Sequence, residues 1–292
     1  MVPAVDTYGP LVAEGTLWVR GIESGKLFRI DPESGEIATS TTDLGCCLAV
    51  GEGAVWAPAP EAGTLERIDP QTGMVTDTFE LGGLTVRAAA GGGKVWVNSH
   101  RGGSVFEIDS VTGEVTSIEI GPTGPAGPQE VYYVDGDVWV GVPNLGPSIV
   151  RIDPTTGEVV ATIDVPGAGC HTMAATDRYM WLAGGCFDSP SQYDTVWKID
   201  LRANQVASEF QPGGTFSQWG EIGYTDGSLW MLTTSGLLRI DPESDEVVVV
   251  SADVVGPGSI SAEEHRLWVL TGKVVRSEGG NLGRELLRIP IP

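Results

Sequence analysis

Basic residues are scarce. Lys and Arg number 17 against 39 Asp and Glu, a formal net charge of −22 with histidine neutral. So acidic a surface repels phosphate backbones and anionic lipid, which argues against a nucleic-acid partner. Solubility is its simplest use. No apolar run nears the ~20 residues of a membrane span, so no membrane insertion is expected. Cysteine is sparse at four, with no C-x-x-C pair, which weighs against a Cys–His metal centre. The opening MVPAVDTYGP lacks a charged-then-apolar leader. That is expected of a cytoplasmic protein, or of an exported one with its signal removed and a Met added.

Turn residues are plentiful. The 41 glycines and 19 prolines punctuate the 292 residues without clustering, and 41% of the chain is hydrophobic, enough for a large core. Length alone allows one or two domains. A Trp-centred run recurs seven times: TLWV, AVWA, KVWV, DVWV, YMWL, SLWM and RLWV, centred on Trp18, Trp56, Trp96, Trp139, Trp181, Trp230 and Trp268. Each is followed by a second element, such as FRIDPESGE at 28–36 or VRIDPTTGE at 150–158, worn down to LRIPIP at the end. Each unit reads as four short strands, A to D. The Trp lies on strand B, and R-I-D ends strand C. Asp-Pro-x-Thr-Gly then makes a tight turn into strand D: Pro fixes φ, Asp caps the turn and Gly takes the positive φ. It resembles a calcium loop only superficially, because it has too few carboxylates and recurs in nearly every unit.

Even spacing of short strands, 38 to 49 residues per unit, predicts an all-β, seven-bladed β-propeller as one domain over 1–292. The chain stops just after strand C of blade seven. Residues 1–8 are expected to supply the missing outer strand and close the ring. The repeated tryptophans are predicted to form the inter-blade core, and Trp197 ordinary strand C packing.

The motifs GxGxVWV and RIDPxTGxVxxxI, across essentially the whole chain, resemble the seven-bladed propellers of the streptogramin (virginiamycin B) lyase-like and YVTN/NHL-repeat group. In lyase-like members a Pro-His-Gly-Ile-Ala-Val run often begins strand A. Here CHTMAA at 170–175 stands in that place. His171 falls on the motif histidine, with Cys and Thr replacing its Pro and Gly. The resemblance implies metal-assisted C–O bond elimination by His and Glu at the propeller's top, although the lyases' full His/Glu set is not found.

Loop lengths also favour one face. The A–B and C–D turns barely vary, whereas the insertions GGCFDSPSQYD, TGKVVRSEGGNLGRE, GPTGPAGPQE and QPGGTFSQWGE all fall on the other face. A rigid scaffold with variable loops on one face usually carries its site there. The first residues of the A strands point into the channel mouth on that face. Aligned on Trp and corrected for hairpin length, His171 matches Glu130, Cys46 and Tyr8, while Thr172 matches Cys47, Arg87, Glu221 and Ser259. Arg87, Glu130, His171 and Glu221 are therefore expected to converge. His171 would act as general base, with Glu130 and Glu221 sharing that work or holding a divalent ion such as Mg or Ca. Arg87 would hold a carboxylate or enolate oxygen. Tyr8 joins this ring; Trp219 is a candidate stacking platform, and His100 in HRGG a flanking residue. His265 lies on the opposite face with no expected role.

Cys170 begins strand A and Cys186 follows strand B of the same blade, within disulfide reach. A Cys170–Cys186 bridge would pin His171 and place the protein outside the cytoplasm; without it the protein would be cytoplasmic. Cys46 and Cys47 are free, or form a vicinal disulfide. Two functions compete. One is a small-molecule lyase or hydrolase at the loop-rich top of the channel; the other is a non-catalytic secreted propeller that binds a ligand or protein. A monomer is expected.

Overall fold

The computed structural model describes the chain except residues 1–6, 22–25, 42–46, 122–126, 143–147, 166–171, 184–193, 217–221, 257, 277–281 and 292; the side chains of 7–9, 40–41, 272, 274–276 and 282 also lie outside the description. All regular structure among the described residues is β, in seven successive sheets. The first holds β1 (Thr7–Ala13), β2 (Thr16–Gly21), β3 (Lys26–Ile30) and β4 (Ile37–Thr41). The second holds β5 (Ala49–Gly51), β6 (Ala54–Ala59), β7 (Thr64–Ile68) and β8 (Val75–Glu80). The third holds β9 (Thr85–Gly91), β10 (Lys94–Ser99), β11 (Ser104–Asp109) and β12 (Val115–Glu119). The fourth holds β13 (Glu130–Val134), β14 (Asp137–Val142), β15 (Ser148–Ile152) and β16 (Val159–Asp164). The fifth holds β17 (Thr172–Ala175), β18 (Tyr179–Ala183), β19 (Val196–Asp200) and β20 (Gln205–Phe210). The sixth holds β21 (Ile222–Thr225), β22 (Ser228–Thr233), β23 (Gly236–Ile240) and β24 (Val247–Ser251). The seventh holds β25 (Ser259–Glu263), β26 (Arg266–Arg276) and β27 (Leu282–Pro290). Thr7 and Tyr8 belong to β1, so the expected closing strand falls partly on 1–6, outside the described residues.

The recurring turn forms for the expected reason. In each copy one Asp carboxylate oxygen accepts two backbone N–H groups just downstream: Asp69 Oδ1 takes Gln71 at 2.9 Å and Thr72 at 2.7 Å. Asp31, Asp109, Asp153, Asp200 and Asp241 repeat this. The turn closes on a left-handed residue, such as Gly73 at φ 74° or, where Gly is absent, Asn204 at 52° and Asp245 at 59°. The carboxylate is consumed by the backbone, which makes the turn structural.

The described residues fall into two compact units: Met1–Val12, Trp18–Ser24 and His171–Pro292 in one, Ala13–Leu17 and Gly25–Cys170 in the other. Within each, the tryptophan of one sheet packs against the next sheet. In the second unit Trp56 clusters with Ala88, Val95 and Val97, and Trp96 with Val131, Val138 and Val140. In the first, Trp181 clusters with Ile222 and Leu229 and stacks on Tyr224 at 6.1 Å, and Trp230 packs on Ile260 and Leu267. Trp197 is buried in β19, as expected. The Arg of R-I-D has a job the sequence did not reveal. It sits opposite the Trp of the neighbouring strand and covers its ring: Arg67 over Trp56 at 5.5 Å, Arg151 over Trp139 at 5.3 Å, Arg288 over Trp268 at 5.6 Å. Such contacts contribute about 0.5–1 kcal/mol at exposed sites. In the third sheet Glu107 takes that place, and Lys94 instead covers Trp96 and pairs with Glu107.

Candidate functional site

In the unit holding sheets two to four, the first strands β5, β9 and β13 lie side by side. Their hairpins are uniform. The tryptophan of the second strand pairs with the residue seven places earlier: Ala49↔Trp56, Ala89↔Trp96 and Tyr132↔Trp139, as also Ala174↔Trp181 in the other unit. This corrects one expectation. Glu130 pairs with Gly141 and Thr172 with Ala183, each two past the tryptophan, so Glu130 shares its register with Thr172 and not with His171. A one-residue slip reverses the face a side chain occupies.

Arg87 enters through a bulge. In the β9–β10 ladder Val97 pairs with Ala88 and Ser99 with Thr85, so Val86 and Arg87 both lie opposite Asn98. A bulge bends its strand and re-aims the side chains there. Both backbone N–H groups donate to Asn98 Oδ1, at 3.2 Å from Val86 and 2.7 Å from Arg87. Asn98 Nδ2 donates to the carbonyls of Pro128 and Gln129, each at 2.9 Å. Glu130 follows directly.

The result is a polar cluster on the first strands. The Arg87 Nε–H donates to Glu130 Oε2; the two side chains are 16% and 6% exposed. Glu130 and Tyr132, two apart on one strand, share a face, and the Tyr132 hydroxyl donates to the same oxygen at 3.1 Å. Burial, then the neighbouring Glu130 charge, holds the Tyr132 phenol well above the ordinary tyrosine value and so neutral. Cys47 reaches the cluster through a parallel bridge to Arg87; it is half-buried and not in a disulfide. His100 meets the peptide before β13: burial lowers its pKa, against a raising hydrogen bond with the Pro128 backbone. The structure therefore joins two of the expected positions, Arg87 and Glu130, and adds Tyr132 and Asn98.

His171, Glu221, Trp219, Cys46, Cys170 and Cys186 lie outside the described residues, as does the Tyr8 side chain. Thr172 is described and buried. His265 clasps Asp226 of the neighbouring turn, Nδ1 to Oδ1 at 2.7 Å.

No family model matches the sequence, and no curated protein does. Solved structures do. A streptogramin B lyase structure matches with a TM-score of 0.73 at 16% identity, over 98% of this chain and 95% of that one. A Kuenenia stuttgartiensis hydrazine synthase matches with 0.74 at 13%, over 100% and 97%. The Pan2 WD40 domain of Neurospora crassa matches with 0.70 at 11%, over 91% and 86%.

The chain is a seven-bladed β-propeller. The expected likeness to the streptogramin lyase group holds at the level of fold. The propeller's structural relatives differ in function, so they fix architecture and not activity.

A metal ligand role for Glu130 fits this geometry poorly. Its Oε2 already accepts from Arg87 and Tyr132, and a divalent ion on that oxygen would have to displace a guanidinium. Among the described residues no three His, Cys, Asp or Glu side chains form a cation-holding group. An open groove of about 460 Å³ elsewhere in the propeller is lined by Lys94, Glu107, Thr116, Ser117, Thr155 and Thr156. Its one lysine is spent on Glu107, the Pro154 carbonyl and Trp96.

The sequence held a signal for each missed residue. Asn98 stands two past its tryptophan, where Arg20, Pro58, Gly141, Ala183, Leu232 and Leu270 stand in the other blades, none of them an amide. Tyr132 follows Glu130 at the strand spacing of two.

Proposed function

We propose that this propeller binds a small polar molecule at the first-strand ends of its second to fourth blades. The supporting observation is the Arg87–Glu130–Tyr132 cluster, with Glu130 buried and Arg87 and Tyr132 half-buried. Burying an ion pair removes two charges from water, and apolar replacements are often as stable or more so. A pair kept in that position is therefore better explained by recognition than by stability. Arg87 suits a carboxylate or carbonyl oxygen, and Glu130 and Tyr132 suit a hydroxyl or amine beside it. The ligand expected is a small hydroxy acid, amino acid or lactone. The test is ligand-observed NMR against those three compound sets, with wild type and Arg87→Gln. Binding lost in the variant supports the reading; no binding from any set, or binding unchanged in Arg87→Gln, overturns it.

A second reading is a lyase or hydrolase. It rests on His171, which falls on the histidine of the lyase-like motif, and on Glu221. In elimination a base would take a proton beside the scissile C–O bond, and the electron pair would form C=C as the carboxylate leaves. The product of a cyclic ester is then a linear isomer of unchanged mass. Hydrolysis instead adds one water. Chromatography with mass detection of streptogramin B after incubation separates these outcomes, and an unchanged substrate counts against both.

A further inference from the structure

We infer that Asn98 is the positioning residue of this site, setting Arg87 and Glu130 against each other through their backbones. The inference rests on the binding reading above for its purpose, but not for its geometry. Asn98 is fully buried in β10. Its amide offers one oxygen and two N–H groups, and four bonds occupy them: Val86 and Arg87 donate to the oxygen, and Pro128 and Gln129 accept from the nitrogen. An amide so engaged has nothing left to offer a ligand. It ties two segments that are not otherwise consecutive, the bulge that carries Arg87 and the peptide that leads into Glu130.

The other blades supply an internal comparison. In the fourth, fifth and seventh blades the residue two past the tryptophan keeps an in-register partner, Gly141↔Glu130, Ala183↔Thr172 and Leu270↔Ser259, whereas in the third the β9–β10 ladder shifts at that point. At the equivalent position the other blades carry Arg20, Pro58, Gly141, Ala183, Leu232 and Leu270. The fold thus has no general need for an amide or a bulge there. Both occur in the blade whose first strand brings Arg87 to Glu130. Losing the amide would remove these four hydrogen bonds and let the two strands settle independently. The ion pair would then lose its geometry while the blade kept its core.

The test reads the pair directly. The Nε–H cross-peak of Arg87 in an ¹H–¹⁵N spectrum, assigned by its loss in Arg87→Lys, reports the bond to Glu130. In folded Asn98→Ala its exchange with water is expected to speed up roughly tenfold, the scale of one charge-assisted hydrogen bond. Leu232→Ala, a buried change at the equivalent position of the sixth blade, is expected to cost stability and leave that signal unmoved. If Asn98→Ala does not fold, Asn98→Ser, which keeps a small polar group, takes its place with the same expected direction. An Arg87 signal unchanged in a folded Asn98 variant, or equally disturbed by Leu232→Ala, overturns the inference. The spectrum needs no ligand. A failed ligand screen would sink the binding reading while a moved Arg87 signal still upheld the positioning.

Discussion

Replacing the whole polar cluster separates stability from recognition. In Arg87→Met/Glu130→Leu/Tyr132→Phe every charged or hydroxyl group of the cluster becomes apolar at similar volume. Replacement of a buried ion pair in this way is neutral or stabilising by about 1–4 kcal/mol. Removing one partner is the opposite case. Glu130→Gln leaves the Arg87 guanidinium, 16% exposed, beside a neutral amide, and removing one partner of a buried pair costs about 3–5 kcal/mol. At roughly 2.1 cal/mol/K per residue, a chain of 292 residues has an unfolding entropy near 0.6 kcal/mol/K, so the single variant should melt about 5–8 °C lower. The triple variant should melt at or above wild type. Thermal unfolding by circular dichroism measures both, and the ligand-observed NMR screen follows binding in parallel. The reasoning requires a triple variant that is stable but does not bind. A triple variant that melts below Glu130→Gln would refute it, because the cluster would then hold the fold together.

Four further outcomes are expected. Gly91→Ala should destabilise by about 1–2 kcal/mol: a Cβ there would sit 2.0 Å from Tyr133 Cδ1, and overpacking outweighs the small entropic gain of alanine; wild-type stability in urea unfolding would show that Tyr133 can move aside. Tyr132, its pKa raised above the usual 10.0, stays protonated when the unfolded phenol ionises. The stability this contributes is full below about pH 10 and lost as pH rises further, and comparison with Tyr132→Phe in an alkaline stability series isolates it. The turn aspartates Asp31, Asp69, Asp109, Asp153 and Asp241 are lowered from 3.8, chiefly by backbone hydrogen bonds. Their contribution is present above that value and lost as pH falls below it, so Asp69→Asn should flatten the acid limb of a stability–pH curve. Burial lowers His100 from 6.5, so the unfolded state takes its proton first and stability falls as pH drops below about 6.5; His100→Gln should remove that slope.

The repeat made the architecture legible from sequence. Seven tryptophans and the Asp-Pro-x-Thr-Gly turn are local signals, because the turn is built from hydrogen bonds within a few residues of one aspartate and the tryptophan marks one strand per blade. Arg87 and Glu130 could be named as first-strand residues for the same reason. Their pairing could not. It depends on a bulge in β9, on Asn98 of the adjacent strand, and on the peptide before β13, and none of these is local to either residue. The likening of Glu130 to His171 failed on one residue of register, since a strand reverses its faces at each step and only the ladder counts the steps. The cation over five of the repeat tryptophans, Trp56, Trp96, Trp139, Trp181 and Trp268, was hidden for a related reason. In the third blade the charge moves from strand C to Lys94 at the head of strand B, and only pairing across the sheet makes the two positions equivalent. Sequence determined what each blade is made of, and tertiary pairing decided which side chains meet.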